Sequence, residues 1–189
     1  MWHSLLADAR FHESLFALDH AVAEEARARG CSACGGTLHA ASYPRKPRGW
    51  PSLPPEHSIR LSFCCATDGC RRRMTPASLR FLGRRVYVAT IVVVVSVLRH
   101  GPSPMRMRRL CEVVGVSRRT VERWCAWWRS ALCETAFWRV AAASFASPVA
   151  VADLPGSLLA RFGGDHMARL VAALRFLGPI TRGTNDQPR

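Results

Sequence analysis

The stretch MRMRRLCEVVGVSRRTVERWCAWWRSAL, Met105 to Leu132, is where spacing, capping and charge agree most closely. Met107, Leu110, Val113 and Val114 recur at helical spacing, Gly115 interrupts them, and Val116 and Ser117 lead into a second helical pattern. Glycine adopts the left-handed conformation that ends a helix and turns the chain at little steric cost. Ser117 is placed to accept from the free N–H of Arg119 or Thr120 and start the next helix. Val121, Trp124, Cys125, Trp128 and Leu132 then form an apolar face at three- and four-residue steps. Arg118, Arg119, Glu122 and Arg123 occupy the other face near its amino-terminal end. A short helix, a glycine turn and a second helix led by arginines is the sequence form of a helix-turn-helix, which predicts a helix entering the major groove of a duplex.

Working backwards, Arg84 to Arg99 carries Val86, Ile91, Val94, Val95 and Leu98 and predicts a buried helix. Its valines disfavour helix somewhat, so a core strand is the competing reading. Gly101-Pro102-Ser103-Pro104 is the break, with Ser103 as cap and Pro104 at the first helical position. The expectation for residues 83–133 is thus a homeodomain-like three-helix unit. Arg118, Arg119 and Arg123 are its candidates for base-edge or nearby phosphate contact, and Thr120 for contact with the duplex backbone. Arg108 and Arg109, with Arg106, are expected to point outward from the middle helix.

The charge points to a polyanionic partner, although the arginine and alanine bias of a GC-rich genome accounts for the choice of arginine equally well. The 189 residues hold 27 basic and 13 acidic side chains, a net charge of +14, and Lys46 is the single lysine. Such an excess favours nucleic acid first and an anionic membrane surface second, and arginine forks suit phosphate oxygens and guanine edges. The most apolar run, Val86 to Leu98, is about 13 residues, short of the ~20 that span a bilayer. No secretory signal is visible. A cytoplasmic, nucleoid-associated protein without a membrane partner is expected.

Eight cysteines in a reducing compartment suggest metal before disulfide where they cluster. Cys31 and Cys34, in Cys-Ser-Ala-Cys-Gly-Gly, form one knuckle; Cys64, Cys65 and Cys70 supply the second. A tetrahedral structural zinc ion takes four thiolates: Cys31, Cys34, one of the adjacent pair, and Cys70. Ile59, Leu61, Phe63 and Cys65 alternate along one side of an expected strand, and Arg60, Ser62 and Cys64 along the other. Cys65 is chosen over Cys64, and His39 and His57 are read as bystanders. Between the knuckles, Tyr43 to Glu56 carries five prolines with Arg45, Lys46, Arg48 and Trp50, an extended loop that either follows a phosphate backbone or is a solvated linker. Arg71, Arg72 and Arg73 follow Cys70 directly and are candidate phosphate contacts. Thr75 to Gly83 is read as a bridge to the next domain.

The flanks are less informative. Arg10 to Arg29 places Phe11, Leu15, Leu18 and Val22 on one stripe, with Glu13, Asp19, Glu24 and Glu25 elsewhere, and predicts an amphipathic helix ending at Gly30. The helix from Ser117 either runs through Cys133 to about Phe145 or breaks near Glu134. Ser157 to Phe162 suggests a short helix. Asp165 caps another helix bearing Met167, Leu170, Val171, Leu174 and Leu177, suited to core or dimer contacts. Trp127 is expected to pack on these helices or mark an interface, and the polar segment from Gly178 to be a disordered tail. The fold expected is mainly α with a small β zinc ribbon. It divides into an amino-terminal helix over 1–30, a ribbon over 31–82, the helix-turn-helix domain, a helical extension over 134–178 and a tail over 179–189.

The cysteine ribbon at Cys31 to Cys70, followed by Gly115-Val116-Ser117-Arg118-Arg119-Thr120-Val121, resembles the small DNA-binding proteins of bacterial insertion sequences and the amino-terminal regions of some transposases. The resemblance covers roughly residues 30 to 130. It implies binding of double-stranded DNA at element ends or a promoter, a structural zinc ion, and a transposase or recombinase as partner. The ribbon's proline-rich insert, its Cys-x4-Cys second knuckle and the carboxy-terminal helices depart from that pattern. Carboxylates are few and scattered, with no acidic triad for two-metal phosphoryl transfer. Tyr43 and Tyr87 lack the surroundings of a recombinase nucleophile, and Cys125 and Cys133 lie near an apolar face where packing is commoner. No catalysis is expected. Two further readings compete: a zinc-ribbon RNA-binding protein tolerant of Arg118→Ala and Arg119→Ala, and a scaffold whose terminal helices recruit a recombinase.

Overall fold

Asp8 accepts a hydrogen bond from the Arg10 N–H at 2.9 Å and so begins helix α1, Ala9–Ala28. The computed structural model describes residues 8–45, 54–82 and 115–182, together with Met105, Arg108, Cys111 and Glu112. Phe11 and Leu15 of α1 are buried, with Leu18 and Val22 packed at the margin of the same core. The helix ends at Arg29, and Gly30 follows at φ +75°, where a Cβ would stand 2.7 Å from the Gly35 carbonyl oxygen.

Two small antiparallel sheets follow. β1 (Leu38–Ala40), β4 (Phe63–Cys65) and β5 (Arg73–Met74) form a three-stranded sheet in the order β1-β4-β5, and β2 (Tyr43–Pro44) pairs with β3 (Ile59–Arg60). Leu38 lies opposite Cys65, and Ala40 opposite Phe63. Leu38, Phe63 and Cys65 cluster with Ala23 of α1 and with Cys31. His39, Cys64 and Arg73 are aligned across the other face. The expected strand over 59–65 is broken at Leu61 and Ser62. Arg60 and Ser62 are buried, the Arg60 guanidinium donating to the carbonyls of Pro76 and, at 3.2 Å, Thr181. The proline-rich segment is anchored at its two ends by β2 and by the 3-10 turn Pro55–Ser58. Lys46 and Arg48 lie outside the described residues.

Residues 75–82 are not a loose bridge. Ser78, Leu79, Arg80, Phe81 and Leu82 are buried, and they close on Asp19 of α1. Its carboxylate accepts from the Ser78 hydroxyl and the Leu79 N–H, each at 2.6 Å, and from Arg80 Nε at 2.8 Å. Asp19 was expected off the apolar stripe of α1; it is buried because a second buried segment supplies its donors. The carboxy-terminal segment is likewise ordered as far as Thr181. The 3-10 turn Gly178–Thr181 places the Thr181 hydroxyl 2.8 Å from the Ser78 N–H. The expected disordered tail therefore does not begin at Gly178.

The helical part comprises α2 (Arg118–Arg129), α3 (Ala136–Ala141), the short α4 (Gly156–Leu159) and α5 (His166–Phe176). Val121, Trp124, Cys125 and Trp128 of α2 share one core with Phe11 and Leu15 of α1, Leu158 of α4 and Leu170, Ala173 and Leu174 of α5. α2 stops at Arg129 and so does not run on to Phe145. Ser130 leaves the helical conformation at φ −120° and ψ −83°, and the Thr135 side chain caps α3 by accepting from the Trp138 N–H. Leu132, in the intervening turn, is still fully buried. Trp127 packs at the core margin, edge-on to Trp128 at 5.0 Å.

The molecule is thus mainly helical with a small antiparallel sheet. Met105, Arg108, Cys111 and Glu112 have helical backbone. The expected helix over 84–99, the break after it and Arg109 lie outside the described residues. Among the described residues no helix is long and apolar enough to cross a membrane.

Candidate metal centre and arginine face

The two knuckles are built alike. In the first, the Cys31 N–H donates to the Gly36 carbonyl at 2.9 Å and the Gly35 N–H to the Cys31 carbonyl at 2.8 Å, with Gly35 at φ +71°. In the second, the Cys65 N–H donates to the Arg72 carbonyl at 2.9 Å, and Arg71 takes the left-handed conformation at φ +42°. In each, the residue after the second cysteine turns left-handed and the chain closes one residue later. Arg71 is the described non-glycine residue that does this, and its guanidinium is held by Asp68 at 2.6 Å.

Those turns bring Cys31, Cys34, Cys65 and Cys70 together, their sulfurs all within 4.8 Å of one another. Cys31 Sγ lies 3.7 Å from Cys70 Sγ, and Cys34 Sγ 3.5 Å from Cys65 Sγ. Disulfide sulfurs are about 2.05 Å apart, so these are free thiols. A tetrahedral zinc with bonds of ~2.3 Å separates its sulfurs by ~3.8 Å, and the two close pairs match that edge. The donor set fits a metal centre. Cys64 is outside it, its thiol directed to the Arg71 carbonyl at 3.4 Å. His39 and His57 are not members either.

The polar surroundings fit anionic sulfur. The backbone N–H of Gly36, then the Thr67 hydroxyl and the thiols of Cys65 and Cys70, lower the Cys34 pKa to about 6. Cys70 receives the Arg72 N–H, which lowers it; Cys34, burial, Cys31 and Cys65 outweigh that and raise it to about 11. One sulfur favouring the thiolate while another resists it is the behaviour of crowded like charges. A cation among them would allow all four to ionise. Thr67 N–H also lies 3.4 Å from Cys65 Sγ. Gly36 is sterically required, since a Cβ there would meet Thr67 Oγ1 at 2.1 Å and the sulfurs of Cys34 and Cys65 at 3.3 Å.

On α2, Gly115 is left-handed at φ +66° and the Ser117 side chain accepts from the Thr120 N–H. Arg118, Arg119 and Arg123 are all exposed, as is Arg108. Arg118 pairs with Glu122 at 3.0 Å. Thr120 is buried, its hydroxyl 3.1 Å from Ser117 Oγ and accepting from Arg123 Nη2 at 3.2 Å. Thr120 therefore faces the interior rather than outward and steadies Arg123. In the ribbon, Arg71, Arg72 and Arg73 are all exposed, and Arg73 also makes contacts within the sheets. Arg73 donates to Ser62 Oγ at 3.1 Å and the Ala41 carbonyl at 2.7 Å, and lies over the Tyr43 ring at 4.9 Å. Arg45 is half-buried.

Sequence reasoning missed the Asp19–Arg80 joint, which positions the ribbon against α1. The Arg80 guanidinium donates to the carbonyls of His57 at 2.6 Å and Ile59 at 3.0 Å, and lies over the Phe16 ring at 4.8 Å. Charged residues read one at a time give no sign of such a pairing, because 61 positions separate the two. No protein-family model, curated protein or solved structure matches the chain.

Proposed function

We propose that the protein is a zinc-stabilised helix-turn-helix DNA-binding protein, a non-catalytic accessory factor or regulator of a bacterial mobile element that acts on double-stranded DNA in the cytoplasm. The observation that carries the reading is α2. Its apolar side is locked into the core by two buried tryptophans, Trp124 and Trp128, while Arg118, Arg119 and Arg123 project from its capped amino-terminal end behind a left-handed glycine. A rigid helix with an arginine-rich leading end suits insertion into a major groove, where a bidentate arginine contact discriminates by about 1–3 kcal/mol. The thiolate cluster is assigned to zinc on its donor set and spacing, as a structural ion fastening a segment with few apolar residues of its own. Four thiolates leave no open coordination position for catalysis.

The test is selection of bound duplexes from a random pool, followed by Arg119→Ala. The variant is expected to lose more affinity for the selected site than for random duplex. Equal losses on both would reduce Arg119 to a phosphate contact. Failure to select any duplex, with retention on structured RNA or on a recombinase alone, would overturn the reading.

A further inference from the structure

Helix α5 has an outer side that the rest of the described molecule leaves open. Leu170, Ala173, Leu174 and Leu177 are buried. On the opposite side Asp165, Ala168, Ala172 and Arg175 follow one another at steps of three, four and three, with Met167 and Val171 beside them. These six residues line a shallow groove of about 490 Å³. Asp165, Ala168 and Arg175 are exposed, Met167 is 38% exposed, and Val171 and Ala172 are half-buried, Val171 packing at the core margin.

That spacing has the form a-d-a-d of two heptads. When two such helices run antiparallel, a layers of one meet d layers of the other. The pairing about a two-fold axis near Leu170 sets Ala168 against Ala172 of the second copy, and Asp165 against Arg175 of the second copy. The small central residues let the helix axes approach to the close end of the usual 8–10 Å. Each end then carries one carboxylate and one guanidinium, twice over by symmetry. Asp165 Oδ1 is used in capping, accepting from the Ala168 N–H at 2.8 Å; a carboxylate has a second oxygen to offer. A face whose charges complement themselves about a two-fold axis is what an isologous contact requires. We infer that the outer face of α5 is a self-association surface, pairing antiparallel with α5 of a second copy through the Ala168–Ala172 layers and terminal Asp165–Arg175 ion pairs. This stands on α5 alone and holds whether or not the protein binds DNA.

A helix of 11 residues is ~16 Å long, so the contact is smaller than a standard interface and belongs to the weak, transient class. Sedimentation equilibrium of the full chain, with zinc and reductant present, tests it across roughly 1–300 μM. Wild type is expected to pass from monomer to dimer. Arg175→Asp and Asp165→Arg are each expected to weaken dimerisation at least tenfold, and an equimolar mixture of the two to restore it, since each ion pair then joins opposite charges or retains the natural pair. Because Asp165→Arg also removes a cap, Ala168→Glu, which keeps it, is the second blocking variant; far-UV circular dichroism checks that each is folded. A wild type that stays monomeric, a dimer indifferent to Arg175→Asp and Ala168→Glu, or a mixture of folded variants that stays monomeric would overturn the inference.

Discussion

Asp19 and Arg80 are each about 1% exposed, and every donor described around the carboxylate belongs to residues 78–80. Removing one partner of such a pair strands a buried charge, which costs about 3–5 kcal/mol. Asp19→Ala is therefore expected to lower unfolding stability by that amount in urea titration, whereas truncating the exposed Glu122 beside Arg118 should change it by less than about 1 kcal/mol. His57 shows the same burial acting on protonation. It stacks on Phe16 at 4.6 Å, and desolvation first, then Arg80, lower its pKa below the ordinary 6.5, against the opposing pull of Glu56 and Glu13. The unfolded chain then binds more protons than the folded one just below that value. Stability is complete above pH 6.5 and falls as the pH drops from there through the depressed folded value. His57→Phe is expected to flatten that part of a stability-against-pH curve.

The knuckles and helix caps are where individual elements are decided. Cys65→Ala is expected to abolish stoichiometric zinc binding and Cys64→Ala to leave it intact, as measured by metal content after gel filtration. Gly36→Ala should weaken zinc affinity about 10–100-fold by pushing on two sulfurs and Thr67. Arg71→Gly, by contrast, relieves a left-handed side-chain residue and should change stability by no more than about 1 kcal/mol. Loss of the Ser117 cap in Ser117→Ala should cost about 1 kcal/mol. These elements were the most legible in the sequence. Both knuckle turns, the left-handed Gly115, the Ser117 and Asp165 caps and the start of α2 depend on contacts between residues a few positions apart, and the choice of Cys65 on the alternation of one strand. The end of α2 was not legible, because Leu132 continues the apolar spacing after the backbone has already turned at Ser130.

At the scale of the whole molecule, α1, the ribbon, α2 and the carboxy-terminal helices do not behave as the separate segments their composition suggests. Arg60 and Ser78 both reach Thr181, more than a hundred positions away. Thr181→Val is thus expected to destabilise the fold by about 1–3 kcal/mol through the stranded Ser78 N–H. Removal of zinc by a chelator should expose ribbon amides to hydrogen exchange first. What the chain alone determined is what local pattern carries: the cysteine spacings, the turns, the caps, the apolar face of α2 and the arginines at its leading end. What only the tertiary structure decided is which charged residues are buried, that residues 75–82 and 178–181 are joints between remote segments, and that Thr120 turns inward. The physical reason is that burying a charge or a free N–H depends on donors and acceptors from remote segments. Local periodicity places a residue on a face; it does not record what that face will meet.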